Sequence, residues 1–202
     1  MIKHIPHIVG LGGTGSANSS SERILRHVLG ACATRGATTE LFDGSALDMP
    51  MYAYGITRTE KAQALITALR HADGIIICSP GYHGTVSGLI KNALDYAEDM
   101  AKDDNAYFEG RAVGLIAVAA GWQATGTTLA TLRSITHALR GWPTPMAVAV
   151  NSAMSVFAED RTLTDAGVIA QLEILADQVV NFAQMKALHD LAKASGNVAH
   201  TA

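Results

Sequence analysis

Cysteine is nearly absent from this chain. Cys32 and Cys78 are the only two, they lie far apart in the sequence, and each is embedded in an apolar segment. This arrangement matches neither a disulfide framework nor the spacing of metal ligands. We therefore expect two buried free thiols and no metal site.

Charged side chains are also scarce. They make up 16% of the sequence, the two signs are interspersed, and the formal net charge is −3. A protein that binds nucleic acid needs a basic stripe to hold the phosphate backbone, and none is present. The charge pattern argues against a nucleic-acid partner and favours a small-molecule ligand.

Long apolar runs are missing as well. No run approaches the roughly 18 residues that a membrane-spanning helix needs, and the amino-terminal segment 1–10 is too short and too interrupted for a signal peptide. The expectation from the sequence is a cytoplasmic protein without a membrane partner.

Apolar residues are plentiful, at 49%, and they alternate between strand and helix patterns. The alternation predicts parallel strands joined by crossover helices in one domain over residues 1–190, followed by a flexible tail at 191–202. The predicted strands are 5–11, 37–42, 73–79, 111–119 and 144–150. The predicted helices include 19–35, 125–140 and 164–190.

Two α/β topologies fit this pattern. One is a nucleotide-binding half of a Rossmann fold, and the other is a flavodoxin-like three-layer sandwich with a five-stranded parallel sheet of order 2-1-3-4-5. Residues 10–15 match the bare dinucleotide pattern of three glycines. However, Asp43 lies beyond the usual spacing of about 20 residues, and several hydroxyl residues precede the helix, so the match is weak.

The loop between the first strand and the first helix is rich in hydroxyl side chains. Free backbone N–H groups at the start of a helix attract anions, and hydroxyls donate to phosphate oxygens. Helix capping alone would need one such residue. We predict that this loop binds a terminal phosphate through Thr14, Ser16, Asn18, Ser19, Ser20 and Ser21.

Two further loops follow the third and fourth strands, 79–86 and 119–127, and should reach the same edge of the sheet. Gly81 and Gly84 allow a ring to approach the backbone, while Tyr82 and His83 offer aromatic faces and polar edges. Each loop alone could be an ordinary connection, but together with the first loop they describe a mononucleotide site such as one for FMN. The predicted ring-binding residues are Pro80, Gly81, Tyr82, His83, Gly84, Ala120, Gly121 and Trp122.

The sequence resembles the NAD(P)H-dependent FMN reductase family of flavodoxin-like proteins over about residues 8–150. The resemblance lies in the serine-rich first loop and in Ala72-Asp73-Gly74, Ser79-Pro80-x-Tyr82-His83-Gly84, Ser87-Gly88 and Lys91-Asn92-Ala93-Leu94-Asp95. It implies FMN with its phosphate on the first loop and its ring between the other two, and NADPH or NADH stacked on the ring. The implied chemistry is hydride transfer to the flavin, which needs no catalytic side chain.

Two positions depart from the family pattern. Gly81 stands where many relatives carry Glu, and we expect the smaller residue to leave its loop looser. Residues 15–18 lack the arginine that is common in the family's phosphate loop. Because a cation strengthens a hydrogen bond to phosphate, the absence of this arginine predicts that FMN binds weakly and exchanges with free FMN. Within the motif, we interpret Lys91 and Asp95 as a surface ion pair.

The resemblance implies an FMN reductase that supplies reduced flavin to a partner monooxygenase and assembles as a homodimer or homotetramer. One alternative is an FMN-containing quinone, azo or chromate reductase. Another is a flavodoxin-type electron carrier, which is disfavoured because carriers surround the ring with acidic residues, whereas loops 79–86 and 119–127 contain none.

Overall fold

A parallel sheet forms the middle layer of the computed structural model, which describes residues 4–195. Its strands are β1 (His7–Gly12), β2 (Thr38–Phe42), β3 (Gly74–Tyr82), β4 (Thr85–Val86), β5 (Ala112–Ala119) and β6 (Trp142–Asn151). The order is β2-β1-β3-β5-β6, and the short β4 pairs antiparallel with β3. Counting only the parallel strands, this is the predicted order 2-1-3-4-5, and the Rossmann alternative is excluded.

Within residues 4–195, five α-helices cover the sheet: α1 (Ser20–Thr34), α2 (Glu60–His71), α3 (Gly88–Asp95), α4 (Trp122–Ala138) and α5 (Ala166–Ala194), with a 3-10 helix at Tyr96–Met100. Most start at a side-chain cap, in which an oxygen accepts a hydrogen bond from a backbone N–H of the first turn. The capping residues are Ser19, Thr59, Ser87 and Asp165. The helix starts are thus encoded locally.

The core has two halves, one on each face of the sheet. Along β3, Ile75 and Ile77 pack with α2, α3 and α4, whereas Ile76 and Cys78 pack with α1 and α5. Successive side chains of a strand point to opposite faces, so a buried parallel strand must be apolar on both. The predicted three-layer sandwich is confirmed.

Both thiols are buried and free, as expected. Burial raises the pKa of the Cys32 thiol to about 12 and also raises the pKa of the Cys78 thiol. A thiol held in its protonated form is a poor nucleophile and a poor metal ligand. The two cysteines are therefore packing residues.

Several predicted boundaries differ from the structure. Helix α4 begins at Trp122 rather than near 125, and α5 continues to Ala194, four residues beyond the predicted end of the last helix and into the segment predicted as a tail. The extra turn of α5 needs no core contact because Ala, Lys and Leu are strong helix formers and Lys186 pairs with Asp190. Residues 196–202 of that tail lie outside the described residues. Within residues 4–195, none of the helices is long and apolar enough to cross a membrane.

Candidate functional site

Three loops meet at the carboxyl edge of the sheet. We call residues 13–19 the phosphate loop, residues 81–86 the hairpin, and residues 120–121 the third loop. They follow β1, β3 and β5, which are parallel neighbours in the sheet. In open α/β sheets, ligands bind outside the carboxyl ends of the strands. The predicted site residues therefore share one end of the molecule.

The second predicted loop is an ordered hairpin. Strand β3 runs on to Tyr82, reverses through His83 and Gly84, and returns as β4. His83 has φ of 51° and Gly84 has φ of 83°, as in the type I′ turns that join two-residue hairpins. Sequence reasoning missed β4 because two residues give no alternating pattern, although glycine at the second turn position was a usable signal.

The motif serines fix the base of this hairpin. Ser79 is fully buried, and its hydroxyl accepts a hydrogen bond from the Ser87 N–H at 3.1 Å while donating to the Pro80 carbonyl at 2.9 Å. The Ser87 hydroxyl in turn caps α3 by accepting from the Ile90 N–H. Because each buried polar atom is satisfied, the hairpin and the start of α3 are held together.

Gly81 is closely packed, so the expectation of a looser loop is wrong. A Cβ at this position would lie 2.8 Å from the Thr128 hydroxyl oxygen of α4 and 3.1 Å from the Ala119 Cβ. Contacts of this length require the neighbours to move. Glycine therefore lets α4 pack against the hairpin, and the missing side chain leaves no gap at this point.

A cavity of about 580 Å³ lies between the hairpin and the third loop. Its lining residues include no carboxylate, lysine or arginine, and they are Gly81, His83, Gly84, Ala119, Ala120, Gly121, Gln123, Ala124 and Thr127. Five of the predicted ring-binding residues are among them. Small neutral side chains and open backbone suit a flat ring that must lie close to the main chain.

The other predicted ring-binding residues lie elsewhere. Pro80 is buried beneath the hairpin, while Tyr82 and Trp122 are 53% and 61% exposed and do not line the cavity. Both aromatic residues directly neighbour lining residues in the sequence. Exposed aromatic faces of this kind are available for stacking with an aromatic molecule.

The phosphate loop packs against the base of the hairpin. A Cβ on Gly13 would lie 2.5 Å from the Pro80 Cδ and 2.9 Å from the Ile90 Cγ1, so only glycine permits this approach. Thr14, Ser16 and Asn18 help to line a second cavity of about 130 Å³, beside the acidic residues Glu22 and Asp43. Sequence reasoning did not place these carboxylates in the site.

The three consecutive serines have different surroundings. Ser19 caps α1 by accepting from the Glu22 N–H, and its hydroxyl contacts that of Ser21 at 3.2 Å. Ser21 is buried, and Ser20 is the first residue of α1. None of the three lines the 130 Å³ cavity. Helix capping, the alternative role for such residues, accounts for Ser19.

The remaining motif residues have structural partners. The Asn92 side chain accepts from the Tyr52 N–H at 2.8 Å and donates to the Pro50 carbonyl at 3.0 Å, which holds the β2–α2 connection. Lys91 and Asp95 form the expected surface ion pair. Among residues 4–195, no group of histidine, cysteine and acidic side chains could hold a metal ion.

The packing of Gly81 yields a stability prediction. Gly81→Ala should cost about 1–3 kcal/mol, the usual range for overpacking, and lower the melting temperature by about 2–4 °C for each kcal/mol. Gly126→Ala is the control, because Gly126 lies on α4, the helix against which Gly81 packs, and a Cβ at position 126 meets open space. This variant should leave stability unchanged or raised. Equal melting temperatures for the two variants would contradict the close contact with Thr128.

Comparison with known proteins agrees with this geometry. An FMN-dependent NADPH-azoreductase of Staphylococcus saprophyticus is 34% identical over 122 residues, which cover 59% of this chain and 61% of that protein. An FMN-dependent NADPH-azoreductase of Staphylococcus aureus is 26% identical over 178 residues, which cover 84% of this chain and 91% of that protein.

A solved structure shares the fold. The flavoenzyme NAD(P)H:(acceptor) oxidoreductase FerB from Paracoccus denitrificans superposes with a TM-score of 0.71 at 19% identity, covering 90% of this chain and 99% of that chain. The sequence also matches the profile described as NADPH-dependent FMN reductase over residues 6–155. The match spans the sheet and all three loops of the site, and the chain therefore belongs to the NADPH-dependent FMN reductase family.

Proposed function

We propose that this protein binds FMN at the three loops and reduces it with NADPH or NADH. The observation that carries the proposal is the neutral cavity of about 580 Å³ beside a hydroxyl-rich loop, in a chain of the FMN reductase family. The contact between Gly13 and Pro80 keeps the phosphate loop against the hairpin. A ligand with a ring at one end and a phosphate at the other matches this pair of surfaces.

The residues present fit such a ligand. Gly121 has open space where a Cβ would stand, so the cavity keeps that volume for a ring. Ser16 and Asn18 offer side-chain donors beside the smaller cavity, which suits phosphate oxygens. The Thr14 hydroxyl lines the same cavity and donates to the Ser16 carbonyl at 3.1 Å within the loop. The bound flavin supplies the hydride acceptor, and the protein contributes binding and orientation. No proton-transferring side chain is assigned.

The final electron acceptor is a separate question. The azoreductase names of the two staphylococcal relatives favour an azo compound as a second substrate of the reduced flavin. The exposed rings of Tyr82 and Trp122, which adjoin lining residues in the sequence, support an aromatic acceptor or a nicotinamide at this edge of the sheet. An electron carrier is disfavoured because the residues lining the ring cavity include no carboxylate.

The proposal keeps two predictions about partners. One is delivery of reduced flavin to a monooxygenase in the cytoplasm. The other is assembly as a homodimer or homotetramer, which is supported by large apolar side chains left exposed in the single chain. These side chains include Met51, Tyr54, Ile56, Met185, Leu188 and Leu191.

The proposed function predicts tighter binding of FMN than of riboflavin, together with flavin-dependent turnover. FMN should bind more tightly than riboflavin in a flavin-fluorescence titration, because only FMN carries the phosphate. Steady-state assays with NADPH and NADH, each against free FMN, a quinone and an azo dye, should show flavin-dependent oxidation of the nicotinamide. Absence of any flavin-dependent turnover would contradict the proposed function, and equal binding of the two flavins would remove the phosphate assignment.

A second prediction concerns the missing arginine. Purified protein should be nearly colourless, with turnover that saturates as FMN is added. Ser16→Arg should tighten FMN about tenfold or more, since a charge-assisted hydrogen bond to phosphate contributes roughly 1.5–3 kcal/mol, and should leave riboflavin unchanged. Asn18 is a poorer position for this change because its φ of 58° strains most residues.

The control for Ser16→Arg is Ser16→Gln, which adds length without charge and should not tighten FMN. Stoichiometric FMN retained by the wild-type protein through gel filtration would contradict exchangeable binding. It would also favour an azo or quinone reductase with a fixed flavin.

A third prediction concerns Tyr82, whose ring is exposed at the turn of the hairpin. Tyr82→Ala should lower flavin affinity or the rate of hydride transfer, yet leave the melting temperature of the flavin-free protein within a few degrees, since an exposed side chain adds little stability. Ile5→Ala, which removes an apolar side chain that is 60% exposed just before β1, at the opposite edge of the sheet, is the control and should affect none of these quantities. A large loss of stability in Tyr82→Ala would assign Tyr82 a structural role instead.

A further inference from the structure

We propose that Glu22 is an internal anion that competes with the phosphate of FMN and thereby weakens its binding. The inference rests on the proposed function and deepens it, because it names the side chain that keeps the flavin exchangeable. Glu22 belongs to the first turn of α1 and lines the 130 Å³ cavity together with the phosphate loop.

The Glu22 carboxylate is held at a backbone donor of the phosphate loop. One of its oxygens accepts a hydrogen bond from the Asn18 N–H at 2.7 Å, and the other accepts from the Arg26 Nε at 2.8 Å. Asn18 adopts a left-handed conformation, and the Arg23 Nε donates to its carbonyl at 2.9 Å. The Glu22 side chain is 14% exposed, and its two hydrogen bonds hold the carboxylate in the cavity wall.

An N–H group just before a helix is the kind of donor that holds phosphate, because it has no partner within the helix. Glu22 already occupies the one at Asn18. A phosphate that enters this cavity must displace the carboxylate or bind beside it. Either route costs free energy, through a lost hydrogen bond or through repulsion between like charges at short range.

A second carboxylate adds to the negative charge. Asp43 lines the same cavity and accepts from the Ser45 N–H and hydroxyl. Arg26 bridges the two acids, with its NH2 group 3.2 Å from an Asp43 oxygen, but it does not itself line the cavity. The charged side chains that line the cavity are thus two carboxylates, whereas the Arg23 and Lys61 cations donate from outside the lining to the carbonyls of Asn18 and Ser45. Arg26 also keeps Asp43 as a partner when Glu22 moves away.

The predicted effect depends on the phosphate. Riboflavin shares the ring of FMN and lacks the phosphate, so its binding should not respond to the charge at position 22. Glu22 therefore changes the difference in affinity between FMN and riboflavin. A residue that lines the cavity of about 580 Å³ would change both affinities together.

The test is flavin-fluorescence titration of Glu22→Gln, which keeps an oxygen acceptor for the Asn18 N–H and removes the charge. FMN should bind about threefold to tenfold more tightly than to the wild-type protein, as expected for one removed repulsion near the surface. Riboflavin affinity should stay within about twofold. Asp48→Asn, which removes an exposed charge of the β2–α2 connection outside the cavity, is the matched control and should change neither affinity.

Arg26→Gln provides an independent arm with the opposite sign. It removes the cation that partly neutralises Glu22 and Asp43, so FMN should bind more weakly and riboflavin should be unaffected. The idea is overturned if Glu22→Gln leaves FMN affinity unchanged, weakens it, or shifts both flavins equally. Wild-type protein that binds neither flavin would overturn the proposed function itself, whereas a normal preference for FMN with no response to position 22 would overturn only this inference.

Discussion

The parallel register of β1, β3 and β5 is the constraint on which the site depends. Gly12 at the end of β1 lies opposite Cys78, and Cys78 lies opposite Ile116. Strand β3 then continues to Tyr82 and β5 to Ala119. Because both run past the end of β1, the hairpin and the third loop extend beyond the level at which the phosphate loop begins. This edge of the sheet could therefore accommodate a ring between the two longer strand ends and a phosphate at the shorter end of β1.

Residues without side chains bring the loops of this edge together. Gly13 lies against Pro80, Gly81 lies against Thr128, and a Cβ on Gly44 would stand 1.8 Å from the Thr14 carbonyl oxygen. Each contact is between backbone and a neighbouring element, so a larger residue would push two loops apart. Ser79, Ser87 and Asn92 complete the scaffold with buried hydrogen bonds. Much of the family motif is therefore explained by how the loops are held rather than by what they bind.

The apolar runs and their alternation predicted the parallel strands and their common edge, because both depend on burial alone. They left two topologies open, and the strand order 2-1-3-4-5 came with the family resemblance. The sequence did not predict features that depend on the geometry of a turn or on a residue far away in the chain. Strand β4 is two residues long and depends on the turn at His83 and Gly84. The tight packing of Gly81 depends on α4, which is remote in sequence. Glu22 follows the phosphate loop by three residues, yet only the left-handed Asn18 shows that its carboxylate turns back onto the loop.

The two cavities differ in charge. This difference separates the affinity that all flavins share from the discrimination between one flavin and another. The cavity of about 580 Å³ is lined by small residues without carboxylates, so if it binds the ring as proposed, the binding energy it contributes is common to every ligand with the same ring. The smaller cavity combines hydroxyl donors with Glu22 and Asp43, and it can distinguish ligands only by the group at their other end. On the proposed function, affinity differences between flavins arise at the phosphate loop. Since related complexes differ mainly in their dissociation rates, the same loop should determine whether the flavin stays bound between turnovers or leaves as a product.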